Sequence, residues 1–163
     1  MIRQMKQILF LLTIGILLGA ITSCTKSTSS PPGQSWTFAS ATYTVLACTA
    51  DSAHATLTAF NTVSGDPYSN IVVFFYDSLP TVSDSFTVVR DANITAAGQV
   101  SITIGYMTSG QLTYYGSTGG RDQRVAVTVS GGRLAVTGSN ISIAKTTATI
   151  DTIPLSFNIK QTQ

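Results

Sequence analysis

Residues 99–107, Gln-Val-Ser-Ile-Thr-Ile-Gly-Tyr-Met, decide the fold. Val100, Ile102, Ile104 and Tyr106 alternate with Gln99, Ser101, Thr103 and Gly105. A helix would scatter the four large apolar residues around its circumference, whereas an extended strand gathers them on one face and leaves the small and polar residues on the other. Ser109-Gly110 follows directly, and Leu112 to Tyr115 resumes an apolar stretch, so the pair reads as a hairpin.

The same period of two recurs on both sides. Upstream, Ala96-Ala97-Gly98 is a turn preceded by a short strand at Phe86 and Val88, and Asp77 to Ser85, with Pro80, reads as loop. Ile71 to Tyr76 is apolar on both faces, which suits a central strand covered on each side or one whose outer face meets a partner. Ser64-Gly65-Asp66-Pro67 is a turn, Leu57 and Ala59 mark a strand, and Asp51 to His54 interrupts the pattern. Trp36 and Phe38 alternate with Thr37, then Tyr43, Val45 and Ala47 alternate with Thr42, Thr44 and Leu46. Downstream, Gly116 to Gly120 reads as a flexible loop. Val125, Val127 and Val129 lead through Gly131-Gly132, suited to a tight hairpin turn, into Leu134 and Val136. Ile141 and Ile143 continue the pattern, and Leu155, Phe157 and Ile159 close it, with Pro154 at the entry.

Composition agrees. All seven acidic residues are Asp, which favours turns, and there is no Glu to favour helices. The expected fold is therefore all-β: an antiparallel two-sheet sandwich, immunoglobulin-like or jelly-roll-like, of nine or ten short strands, with a closed up-and-down barrel as second choice.

The chain ahead of Ser35 is of a different kind. Arg3 and Lys6 precede an apolar run from Ile8 to Ala20 that is shorter than the roughly 20 residues needed to span a bilayer, the layout of a secretory signal peptide. Ile21-Thr22-Ser23-Cys24 ends it, and Thr25 to Gln34, with Pro31-Pro32-Gly33, reads as a tether. Removing Arg3 and Lys6 from the nine basic residues leaves seven against seven acids, so the remainder is formally neutral and lacks the electrostatic footprint of a nucleic-acid binder.

Ile21 to Cys24 resembles the lipobox of bacterial lipoproteins, with Ile rather than the commoner Leu at its first place and Thr at its second. The resemblance implies a diacylglyceryl thioether on Cys24, cleavage before it and acylation of the new amino group, by palmitate or a similar chain. It implies three segments: 1–23 signal peptide, 24–34 lipidated cysteine and tether, 35–163 sandwich domain. Thr25 is not the Asp that retains many such proteins at the inner membrane, and Thr25-Lys26-Ser27 is not the acidic run that marks surface display in some lineages. The implied place is the outer membrane, facing the periplasm. A lipid on Cys24 excludes a disulfide to Cys48, which then reads as a small buried hydrophobe. In layout the strand-rich domain is also similar to small β-sandwich envelope lipoproteins.

Catalytic and cofactor signatures are sparse. His54 lies beside Asp51 and Ser52, the residue types of a hydrolase triad, but no G-x-S-x-G elbow accompanies them, and a solvent-exposed turn histidine is the expectation. One His and one free Cys do not make a zinc site. Asp77, Asp84 and Asp91 would serve calcium only if their loops met. Gly116 to Gly120 lacks the Lys-Ser/Thr ending of a phosphate loop. No enzyme activity, metal or cofactor is expected. Aromatics offer the one site reading: Trp36, Tyr68, Tyr76, Tyr114 and Tyr115 are candidates for a ligand platform, flat rings with polar edges suiting sugars. Tyr114 and Tyr115 are adjacent on a strand and so point to opposite faces. The expected function is a lipid-anchored, non-catalytic binding or structural module with a protein or glycan partner; the alternatives are a carbohydrate-binding module and, last, a hydrolase.

Overall fold

A computed structural model describes residues 33–62, 68–91, 93–147 and 151–162. The signal peptide, Cys24, most of the tether and the Ser64–Pro67 turn lie outside the described residues. Every regular element that is described is a strand: β1 (Ser35–Phe38), β2 (Ala41–Thr44), β3 (Ala47–Asp51), β4 (Thr56–Phe60), β5 (Tyr68–Phe75), β6 (Asp84–Val88), β7 (Gln99–Thr108), β8 (Gln111–Ser117), β9 (Arg124–Ser130), β10 (Arg133–Lys145) and β11 (Thr152–Lys160). The all-β expectation holds, with eleven strands rather than nine or ten.

These strands form one hydrogen-bonded sheet in the order β2-β1-β11-β10-β9-β6-β7-β5-β4-β3, with β8 bridging β7 and β10. The sheet doubles over its core. One arm, β3-β4-β5-β7-β8, faces the other, β2-β1-β11-β10-β9-β6. The link from β6 to β7 and the bridge through β8 close five strands, β6, β7, β8, β10 and β9, into a ring. On the opposite side the C-terminal segment ties the arms: the Thr162 N–H donates to the Cys48 carbonyl at 2.9 Å. All pairings are antiparallel except β6 with β7, where Thr87 and Val88 run parallel to Gln99 and Val100.

Burial follows the alternation. Ile71, Val73 and Phe75 of β5 lie inside beside their register partners Ile104, Ile102 and Val100 of β7. From the other arm come Val125 and Val127 of β9, Val136, Ile141 and Ile143 of β10, and Leu155, Phe157 and Ile159 of β11. Aromatic rings join the arms: Phe38 packs edge-on against Tyr115 at 4.8 Å and Tyr106 at 5.9 Å, and the Trp36 indole N–H donates to Ser69 Oγ at 3.3 Å.

β10 holds its long run only by a bulge. Gly138 pairs with Phe157 and Ile141 with Leu155, so β10 spends one residue more than β11 across this interval. Asn140 takes up the excess at φ 53°, its N–H donating to Ser156 Oγ at 3.1 Å. Gly138 is required here, because a Cβ would come within 2.5 Å of the Phe157 ring.

Three hairpins turn on two residues with positive φ, the geometry whose twist matches that of the strands. Ser109-Gly110 and Gly131-Gly132 are the expected ones. Between β1 and β2 the turn is Ala39-Ser40, at φ 49° and 65°, so the run from Trp36 to Ala47 is not one alternating stretch but a hairpin followed by a second break at Val45-Leu46. A left-handed conformation costs an L-residue about 1–2 kcal/mol. The exposed pair Ala39→Asn with Ser40→Gly should therefore raise the unfolding free energy by about 1–2 kcal/mol, read as a higher denaturation midpoint at unchanged slope. A lower midpoint would contradict the turn geometry.

Candidate ligand-binding face

The inward faces of β5, β7 and β8 are taken by core side chains, so the alternate residues face out in register. Tyr68, Met107 and Leu112 form one row across the three strands, Asn70, Gly105 and Tyr114 the next, and Val72, Thr103 and Gly116 the third. Tyr114 is 50 % exposed and Leu112 48 %, while Tyr68 and Met107 are half-buried. Gly105 makes the floor: a Cβ there would lie 3.5 Å from Tyr114 Cε1 and collide with the Asn70 amide. Asn70 Oδ1 accepts the Gly105 N–H at 3.0 Å, which leaves the Asn70 amide hydrogens for solvent or a ligand. Partial burial, with Tyr114 close by, raises the Tyr68 phenol above its ordinary pKa and keeps it neutral.

The chain after β6 brings a carboxylate onto the third row. Val89 N–H donates to the Val100 carbonyl at 2.9 Å, Arg90 bridges Thr118, and Asp91 N–H donates to the Ser117 carbonyl at 2.8 Å. Ser117 is the knot: its hydroxyl donates to the Val89 carbonyl at 2.6 Å and accepts the Ile102 N–H at 3.1 Å. Asp91 then lies over Gly116, where a Cβ would come within 2.6–2.9 Å of its side chain, and Oδ1 accepts the Thr103 hydroxyl at 3.1 Å. Gly119 is equally confined, since a Cβ would sit 2.8 Å from Arg90 N. Residues 116–120 are thus not the expected flexible loop. Gly116 and Ser117 end β8, Thr118 bridges Arg90, and the glycines admit the 89–91 segment.

Asp91 divides two depressions. On one side is a cleft of about 390 Å³ lined by Arg90, Asp91, Gly116, Thr118, Lys145 and Thr152, among others. On the other, Phe74, Asp91, Ile94 and Ser101 line a recess of about 250 Å³. The second accounts for part of the doubly apolar Ile71–Tyr76 run: Phe74 faces outward but lines this recess with Asp91 and Ile94.

Of the five aromatic candidates, only Tyr68 and Tyr114 are brought together. Trp36 is fully buried, stacked on Tyr43 with ring centroids 5.6 Å apart, and offers no face to a ligand. Tyr115 points inward onto Phe38, opposite to Tyr114 as adjacency on a strand requires. Tyr76 is 41 % exposed but lies past the far end of β5 from Tyr68, about 25 Å along the strand. Asn70, Gly105 and Gly116 were not singled out from the sequence as parts of a ligand site, and Asp91 was considered only as a calcium carboxylate with Asp77 and Asp84; the small residues on the polar side of β7 were the available signal.

His54 occupies the exposed β3–β4 turn, with Nδ1 2.6 Å from Asp51 Oδ2. Asp51 Oδ1 also accepts the N–H groups of Ala53 and His54, and the histidine hydrogen bond holds its carboxyl below the usual range. The pair closes a turn, and no described hydroxyl is hydrogen-bonded to it. Among the described residues Asp77, Asp84 and Asp91 do not gather into a group that could hold a metal ion. Cys48 is fully buried with a free thiol, and burial pushes its pKa up to about 12.

No family model, curated protein or solved structure matches the chain.

Proposed function

We propose that the chain is a lipid-anchored, non-catalytic binding module of the bacterial cell envelope, held to the outer membrane through Cys24 and meeting its ligand with the outer face of β5, β7 and β8. The carrying observation is the cluster of Tyr68, Met107, Leu112 and Tyr114 on the outer face around a glycine floor, in a domain that buries Trp36, Phe38 and the inward Val, Ile and Leu residues of its strands. Exposed rings set beside fixed polar groups are what a binding face needs. The anchor rests on the lipobox-like Ile21-Thr22-Ser23-Cys24 behind a basic and apolar leader. Gln34 is already buried in the domain, its side chain accepting the Lys160 N–H, so the eight residues from Thr25 to Pro32, if extended, hold the domain roughly 25 Å from the bilayer, enough for a face to reach other periplasmic components.

The test compares the wild-type chain with Tyr68→Ala/Tyr114→Ala as bait in detergent-solubilised envelopes. Both positions lie outside the core, so the double variant should fold with little loss of stability. A component, protein or glycan, retained by the wild type and lost from the variant is the expected result. Identical captures by the two would remove the face from the proposal.

A further inference from the structure

Resting on that reading of the face, we infer that the Asp91 cleft is a subsite for a neutral saccharide whose neighbouring unit stacks on Tyr114. The two places are continuous. Tyr114 and Gly116 are alternate outward residues of β8, about 7 Å apart, and Asp91 lies directly over Gly116. Thr146, in the cleft wall, donates both its N–H and its hydroxyl to the Tyr114 carbonyl, at 3.1 and 3.3 Å, so wall and ring are carried on one frame.

The chemistry of the lining selects the ligand class. Tyr114 presents a flat half-exposed ring, which takes the C–H face of a pyranose. Asp91 Oδ1 is held by Thr103, which fixes the carboxylate and leaves Oδ2 as an acceptor for a ligand hydroxyl. The Asn70 amide hydrogens add donors on the Tyr114 side, and the Thr152 hydroxyl adds a donor and acceptor in the cleft. The cleft carries both signs, Arg90 and Lys145 on its walls against Asp91 at its edge, so the cationic walls disfavour a free cation and the carboxylate repels an anionic group placed beside it. A polyhydroxylated neutral molecule meets both signs with its own donors and acceptors. The volume, about 390 Å³, falls in the range of small-ligand sites.

The experiment is calorimetric titration of the detergent-solubilised mature chain with maltohexaose, cellohexaose and fully N-acetylated chitohexaose, and with oligogalacturonate and choline as charged comparators. At least one neutral hexaose should bind. Loss of a charge-assisted hydrogen bond in Asp91→Asn should weaken it by about tenfold or more, Tyr114→Ala should do likewise, and Tyr76→Ala should leave affinity unchanged. In the wild type, carbodiimide modification of Asp91, mapped by mass, should slow when that hexaose is present, a readout independent of any variant's folding. Failure of all three hexaoses to bind, preferential binding of a charged comparator, or an unprotected Asp91 overturns the inference. If Tyr114→Ala abolishes hexaose binding while Asp91→Asn does not, the subsite falls and the face stands. If no hexaose binds but envelope capture still depends on Tyr68 and Tyr114, the saccharide is wrong and the binding module survives.

Discussion

Trp36→Ala should lower the unfolding free energy by about 3–5 kcal/mol, the usual cost of emptying a large aromatic site that its surroundings cannot refill. Trp36 has no solvent exposure, stacks on Tyr43 at 5.6 Å and donates its indole N–H to Ser69 Oγ across the core. The substitution opens a cavity between the arms and leaves the Ser69 hydroxyl without that donor inside the fold, where an unsatisfied polar group adds its own penalty. Against a domain stability of about 5–15 kcal/mol, this is a large share. Denaturant unfolding should show the midpoint falling steeply, while Tyr114→Ala on the outer face shifts it by about 0.5 kcal/mol or less. A Trp36→Ala cost below about 1 kcal/mol would mean that the two arms do not close over this ring.

Cys24→Ser should abolish lipid incorporation outright. The wild type is expected to take up labelled palmitate and to migrate as the processed chain. The serine variant has no thiol at the lipobox-like junction to receive the diacylglyceryl group, so it should carry no label and keep the mobility of the precursor. Cys48→Ala is the control and should label normally, because Cys48 is buried and its thiol, pushed up to about 12, is un-ionised at neutral pH and a poor nucleophile. A palmitate-labelled Cys24→Ser chain, or one processed like the wild type, would refute the anchor.

The legible parts of the fold were those where one residue type has one use. Alternation across Gln99–Met107 assigned Val100, Ile102 and Ile104 to the core because a strand has only two faces, and Gly131-Gly132 announced its turn because glycine takes positive φ without strain. Ala39-Ser40 gave no such notice, since neither residue favours positive φ; the hairpin is imposed by β1 and β2 pairing around it. The parallel contact between β6 and β7 was invisible for another reason: it joins segments by tertiary placement, and nothing in Phe86 or Val88 records which neighbour they meet.

The site was half legible. Adjacency at Tyr114-Tyr115 said that one ring faces out, which is where Tyr114 lies. Trp36 was misplaced as a candidate because an indole suits a ligand platform and a core equally well, and only the Ser69 partner within the core shows which. Asp91 stood out in the sequence only as one of three loop carboxylates that calcium could use, and the three do not gather among the described residues. The position of Asp91 over Gly116 depends on Ser117 binding the Val89 carbonyl, a contact between residues 28 apart in sequence.

The most direct test of a lipid-anchored envelope module is the intact mass of the mature polypeptide extracted from its native membranes, with fragmentation to locate the N-terminus. The predicted result is a chain beginning at Cys24, with a diacylglyceryl thioether on that residue and an acyl chain on its amino group. A chain that begins elsewhere, or one whose Cys24 thiol is unmodified, would contradict it.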